Sequence, residues 1–263
     1  MVSIIVCMKQ VIDPEAPASA FKIDPEAKRA IPPKGTPPVL NPNDENALEA
    51  AIRIKEAQDA EINVISMGPQ LARPVVKKSL SVGADELFLL EDDAFEDLDS
   101  YSSACILATA IQKIGKYDII LCGRQAADTD AGQVGSGIAE ILGVPSITAA
   151  QKVEVVDGKL RIERVVSDGY EVIEAQIPAV VTASNEIGDL RSPTVKAVME
   201  ARKKEFTVWS AQDLGVDPSQ LKRTNLLKLS IPVHESICEI VEGESPEQAG
   251  ENLALKLREA KVL

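Results

Sequence analysis

Asp118-Ile-Ile-Leu-Cys122 runs into Gly123-Arg-Gln-Ala-Ala-Asp-Thr-Asp-Ala-Gly-Gln-Val-Gly135 and on into Ser136-Gly-Ile-Ala-Glu-Ile-Leu142, with Gly143 behind it. The first five residues read as a buried strand, the polar stretch as a connection, and Gly132 to Leu142 as a helix stopped by glycine. A strand end that hands over through a glycine-bearing loop to a helix start is the repeating unit of an α/β sheet. Ligands of such sheets sit at that edge.

The same unit recurs in both directions from this stretch. Upstream, strands are expected at Val2 to Met8, Glu61 to Ser66 and Glu86 to Leu90. Helices are expected at Asp44 to Ala57 (started by Asn41-Pro42-Asn43-Asp44), at Leu71 to Val82 (closed by Gly83) and at Ser100 to Ile114 (capped by Ser100). Residues 13 to 40 carry seven prolines and no sustained period, and read as a long loop with a small hairpin near Phe21-Lys22-Ile23. Downstream, Ser146 to Ala149 is a fifth strand, after which the rhythm changes. Val153 to Val156, Leu160 to Val166 and Tyr170 to Ile173 alternate between Asp-Gly turns, the pattern of a β-meander. Pro178 to Thr182 is an apolar strand that can return to the sheet, and Pro193 to Lys204 is a helix ending in Arg202-Lys203-Lys204. Ser245-Pro246-Glu247-Gln248 fits a capping box that opens a terminal amphipathic helix. The expected fold is therefore α/β, a Rossmann-like doubly wound parallel sheet with an added β-meander and a C-terminal partner-binding arm. The domain would span 1–230 and the arm 231–263.

The 263 residues carry 28 Lys plus Arg against 41 Asp plus Glu, a formal charge of −13, so duplex nucleic acid and anionic membranes would repel the chain as a whole. Aromatic side chains make up only 3%, which removes the ring platforms used to stack bases. Cys7, Cys105, Cys122 and Cys238 are far apart and His234 is the only histidine. Disulfide frameworks, zinc ribbons and multi-histidine metal sites are accordingly not expected. His234 itself reads as a loop histidine without catalytic duty. The N-terminus lacks a signal-peptide layout and no apolar run reaches ~18 residues, so the expectation is a soluble, cytoplasmic protein with no membrane insertion.

Chemistry concentrates in the quoted loop. Arg124, Gln125, Thr129 and Gln133 offer donors, Gly132 and Gly135 allow close backbone approach, and a helix start exposes N–H groups, all of which suit a phosphate or ribose. Asp128 and Asp130 oppose an anion unless they cap the helix or hold the loop, and capping is the expectation for at least one of them. The stretch matches neither a Walker A loop nor G-x-G-x-x-G, and a polar, well-capped connection remains the alternative. Two other strand ends, Cys7-Met8-Lys9 and Ser66-Met67-Gly68-Pro69, would face the same edge, and with Asn41-Pro42-Asn43-Asp44 they could line an adenine pocket.

Taken together, V-C-M-K-Q-V-I-D (6–13), L-N-P-N-D-E-N-A-L-E-A-A (40–51), S-M-G-P (66–69), V-G-A-D (82–85), C-G-R-Q-A-A-D-T-D-A-G-Q-V-G (122–135), I-P-A-V-V-T-A (177–183) and R-S-P-T-V-K-A-V-M-E-A-R-K-K (191–204) resemble the beta subunit of electron transfer flavoprotein over nearly the whole chain. The resemblance implies a heterodimer with an alpha subunit that carries FAD, on which residues 231–263 would pack. It also implies an electron-carrier subunit in place of a stand-alone catalyst, with no catalytic residue of its own. An adenine nucleotide would be held by Cys7, Asn41, Pro42, Asn43, Asp44, Met67, Arg124, Gln125, Ala126, Asp128, Thr129, Asp130, Ala131, Gly132, Gln133, Val134 and Gly135. That nucleotide would be AMP in an ordinary carrier. In an electron-bifurcating relative it would be a second FAD taking hydride from NADH. Residues 128–136 read D-T-D-A-G-Q-V-G-S where bifurcating relatives have D-G-D-T-A-Q-V-G-P, which favours AMP. A recognition segment over 183–204, with Val195 as anchor and Arg191 and Met199 beside it, would dock acyl-CoA or similar dehydrogenases. The heterodimer would pass their electrons to a quinone oxidoreductase or another acceptor.

Overall fold

In the computed structural model, residues 1–17, 21–232 and 238–262 are described. His234 lies outside them. The first strand, β1 (Val2–Cys7), is apolar on both faces because helices cover both. Ile4 and Val6 enter one buried cluster, Ile5 and Cys7 the other. Two tiny ribbons follow, β2 (Gln10–Val11) paired with β5 (Val39–Leu40), and β3 (Lys22–Asp24) paired with β4 (Arg29–Ile31), the last being the hairpin expected near Phe21. Then come α1 (Pro42–Ala57), β6 (Ala60–Gly68), α2 (Arg73–Val76), α3 (Lys78–Val82), β7 (Glu86–Glu91), α4 (Ser100–Ile114), β8 (Ile119–Gly123) and α5 (Val134–Leu142). The chain continues through β9 (Ser146–Val156), β10 (Lys159–Val166), β11 (Gly169–Gln176), β12 (Ala179–Ala183), α6 (Val195–Lys203), β13 (Thr207–Trp209), α7 (Ala211–Leu214) and α8 (Pro218–Leu221).

Among the described residues the main sheet has nine strands in the order β11-β10-β9-β12-β8-β1-β6-β7-β13. From β12 to β13 every neighbouring pair is parallel. β1 leads through α1 to β6 on one side, whereas β7 leads through α4 back to β8 on the other. The strand order therefore reverses between β1 and β8, and the carboxyl ends of these two strands are where ligands of such sheets bind. The doubly wound parallel sheet expected from the sequence is present.

Several elements differ from expectation for local reasons. The helix expected over Leu71 to Val82 is two short helices: the hydroxyls of Ser79 and Ser81 donate to the carbonyls of Val76 (2.7 Å) and Lys78 (2.6 Å), competing with the helical ladder at the break. The cap of α4 is Asp99, not Ser100; its carboxylate accepts from Ser102 N at 2.8 Å. The strands expected at 146–149 and 153–156 are one strand, β9. Its first part pairs parallel with β12 and its second antiparallel with β10, across a bulge in which Ala149 has φ +56° and donates its N–H to Thr182 Oγ1 at 3.1 Å. The meander turn at Asp157-Gly158 has both φ values positive, as a tight hairpin requires. The edge strand β13 had no periodic signal, being three residues long.

The chain divides into two compact units, Met1–Leu227 and Lys228–Leu263. The second contains α9 (Pro246–Glu259), which buries none of its residues. Ser245 caps it by accepting from Gln248 N, but Gln248 Oε1 returns its bond to Glu244 N (2.7 Å), one residue earlier than a capping box would place it.

Candidate functional site

At the switch point, Cys7 of β1 and Cys122 of β8 are register partners, and the chain leaves both strands toward the same edge. Gly123 ends β8 against the first turn of α1. A Cβ there would lie 2.4 Å from Asp44 Oδ1 and 2.6 Å from the Asn43 carbonyl carbon, so only glycine fits. That contact lets Asp44 join the two strands: Oδ2 accepts from Lys9 N at 2.7 Å, and Oδ1 accepts from Gly123 N at 3.0 Å. Burial pushes its carboxyl up to about 7, against the opposing hydrogen bonds from Lys9, Asn41 and Gly123.

Asn41 makes the next connection. Fully buried, it donates Nδ2 to Gln125 O at 2.8 Å and accepts on Oδ1 from Ala127 N at 3.0 Å, so one amide clamps the start of the 124–133 loop. The loop then turns on itself, with Asp130 N donating to Ala126 O at 2.8 Å and positive φ at Asp130 and Gly132. Gly135 lets α5 settle onto the sheet, since a Cβ there would be 2.7 Å from Thr182 Cγ2.

The two aspartates do not cap α5, whose capping position is Gln133 with no side-chain bond. Asp128 is instead held by Lys9, whose Nζ donates to both its oxygens at 2.8 and 2.7 Å, and Asp130 Oδ1 accepts from Gln125 Nε2 at 2.9 Å. Both carboxylates are engaged in fixing the loop, and Lys9 offsets the charge of Asp128, whereas Asp130, bonded to a neutral amide, keeps its own. By contrast the Arg124 guanidinium is exposed and makes no ion pair or hydrogen bond among the described residues; only its backbone N–H is engaged, by Ala183 O at 2.9 Å. With Thr129 exposed in the loop and Gln133 exposed at the cap of α5, this donor set fits the phosphate of a nucleotide. At the ends of the neighbouring strands β1 and β6 lie Cys7, buried, and Met67, half-buried, both soft and uncharged and packed in one cluster. The hydrogen bond with Cys7, and burial, hold the Cys122 thiol up, which makes it a poor nucleophile.

The residues expected at the site thus converge on one edge: Cys7, Asn41 to Asp44, Met67 and Arg124 to Gly135. Asn41 and Asp44 serve there as pins. Lys9 lies at the strand end expected at this edge and Gly123 at the head of the loop; nothing in the sequence signals that Asp44 binds both backbones or that Lys9 pairs with Asp128. Val195, Arg191 and Met199 lie elsewhere. Val195 and Met199 are one helical turn apart on α6, 79% and 58% exposed, while Arg191 folds back onto α1. Among the described residues there is no group of three His, Cys, Asp or Glu side chains that could hold a metal, and no helix long and apolar enough to cross a membrane.

The family described as electron transfer flavoprotein domain matches residues 34–214. The chain is similar to the electron transfer flavoprotein subunit beta of Thermoanaerobacterium thermosaccharolyticum, with 42% identity over 266 residues that cover 99% of this chain and 100% of the relative. It is 37% identical to the caffeyl-CoA reductase-Etf complex subunit CarD of Acetobacterium woodii over 265 residues, 99% of each chain. Protein FixA of Azorhizobium caulinodans is 34% identical over 221 residues, 81% of this chain and 77% of the relative. The parallel sheet, the switch-point loop and end-to-end likeness agree, and the chain belongs to the electron transfer flavoprotein beta-subunit family.

Proposed function

We propose that this chain is the nucleotide-holding and partner-docking half of a cytoplasmic electron-carrying heterodimer, with AMP at the carboxyl ends of β1 and β8 and FAD on the alpha subunit. The observation that carries the nucleotide reading is the 124–133 loop, pinned by Asn41 and Asp44, with Asp128 paired to Lys9 and the exposed Arg124 guanidinium without an ion pair or hydrogen bond among the described residues. Arg124, Gln133 and the first amides of α5 would hold the phosphate, and Thr129 the ribose. Cys7 and Met67 would lie under the base. These two side chains would hold the base by soft, polarisable contacts. The FAD of the heterodimer would supply the redox chemistry; this chain's part is to hold its partners at a fixed separation, for which no proton donor or nucleophile is needed. The apolar pair Val195 and Met199 on α6 is the surface by which an acyl-CoA or similar dehydrogenase would dock, and the electrons would leave to a quinone oxidoreductase or another acceptor.

The test is to purify the chain with its alpha subunit, extract the nucleotides and quantify them. One FAD and one AMP per heterodimer are expected, and Arg124→Ala is expected to lower AMP retention about tenfold with FAD unchanged. Two FAD and no AMP would overturn the AMP assignment and favour a bifurcating subunit that accepts hydride from NADH.

A further inference from the structure

The connection from β12 to α6 crosses the face of α1 and is tied to it. Asn46 Nδ2 donates to Gly188 O at 2.7 Å. Arg191 spends its whole guanidinium on two glutamates about two turns apart on one face of α1. Nε and Nη2 reach Glu49 at 3.1 and 2.9 Å, Nη2 also reaches Glu56 Oε2 at 3.1 Å, Nη1 pairs with Glu56 Oε1, and the Arg191 backbone N–H adds a bond to Glu49 at 3.2 Å. Glu49 is buried and also accepts from Arg53 Nε at 3.0 Å. Burial raises its carboxyl, but the bonds from Arg191 and Arg53 outweigh that and hold it below the usual range, so it stays ionised at neutral pH. The far end of α6 is also fixed: Lys77 Nζ donates to Arg202 O (3.1 Å) and Lys204 O (3.0 Å), and Lys204 Nζ donates to Ala84 O (3.1 Å).

Between these anchors α6 lies against α3, and Thr194 caps its start by accepting from Ala197 N at 3.2 Å. The helix is nine residues long, shorter than the ~12–15 at which isolated helices become marginally stable, and Ala201 is its only buried residue. With so little of it buried, its placement relies on that cap, on α3 and on the anchored segments at its two ends.

We infer that Arg191 is a positioning residue for docking: its clamp on Glu49 and Glu56 fixes the start of α6, so that Val195 and Met199 meet a partner as a preformed pair instead of ordering on encounter. This rests on the reading of α6 as the docking helix. A surface that is ordered beforehand loses less conformational freedom on association.

The experiment compares the wild-type heterodimer with Arg191→Ala, Glu56→Ala and Val195→Asp. It measures electron uptake from a purified short-chain acyl-CoA dehydrogenase reduced by its acyl-CoA, and hydrogen exchange of the 195–203 amides. Arg191→Ala is expected to raise KM for the dehydrogenase about tenfold with kcat retained, and to speed exchange across α6. Glu56→Ala removes only the exposed arm of the clamp and should raise KM about threefold, so it decides the matter if Arg191→Ala does not fold. A wild-type KM in Arg191→Ala, or in Glu56→Ala should that be the one that folds, overturns the inference, whether or not exchange is faster. Val195→Asp tests the underlying reading: it should raise KM while leaving α6 exchange slow, and a normal KM there overturns the docking helix itself.

Discussion

Asp44 joins two parallel strands at the point where the sheet reverses direction, and both of its oxygens face backbone N–H donors. An asparagine in its place would turn an NH₂ group toward one of those donors and leave both unsatisfied inside the protein. Asp44→Asn should therefore lower stability by ~1–3 kcal/mol, read as a shift in the denaturant midpoint with an unchanged slope, and should speed exchange of the 124–130 amides. An unchanged midpoint would show that water satisfies the site. Asn41 and Asp44 were legible as the start of a helix and as part of the site. Their role as pins was not, because the groups they bind, Lys9, Gly123, Gln125 and Ala127, are tens of residues away in sequence. The same distance explains the aspartates of the loop: Asp128 meets Lys9 across 119 positions, an ion pair that no local capping rule can anticipate.

At the scale of elements, helix ends depend on which side chain reaches the free N–H groups. In α4 that side chain is Asp99, which also accepts from Ser102 Oγ, Arg223 N and Thr224 N. Burial works against its charge, but these bonds outweigh it and hold the carboxyl well below the usual range. Its folded pKa is depressed, so the stability it contributes is full above the unfolded value of ~3.9 and is lost as pH falls below it. Asp99→Ala should cost ~1 kcal/mol at pH 7, and the difference from wild type should shrink as thermal unfolding is repeated at decreasing pH below ~4. A gap independent of pH would mean that the neutral acid caps equally well. The periodic segments that became α1, α4, β6 and β7 were readable because their apolar spacing is imposed by burial on a single sheet face or on both. Where local competition decides, as with the serine hydroxyls between α2 and α3 or the bulge in β9, apolar spacing carries no signal.

For the molecule as a whole, the unit Lys228–Leu263 ends in a helix that buries none of its own residues and leaves Leu253 and Leu255 exposed. A chain that ends after Leu227 should unfold with the same cooperative transition, its Tm within ~2 °C of the full chain, but should no longer co-purify with the alpha subunit. A large fall in Tm would show that residues 228–263 stabilise the first unit directly. The sequence by itself determined the alternation of strand and helix, the parallel sheet and the loop after β8, because the spacing of apolar residues and the position of glycines act through near neighbours. Only the tertiary structure decided that the order reverses between β1 and β8, that Lys9 pairs with Asp128, and that Arg191 bonds to Glu49 and Glu56. Those outcomes depend on which strand ends and helix faces come together in space, and hydrogen bonds and ion pairs act over a few ångströms however far apart their residues lie along the chain.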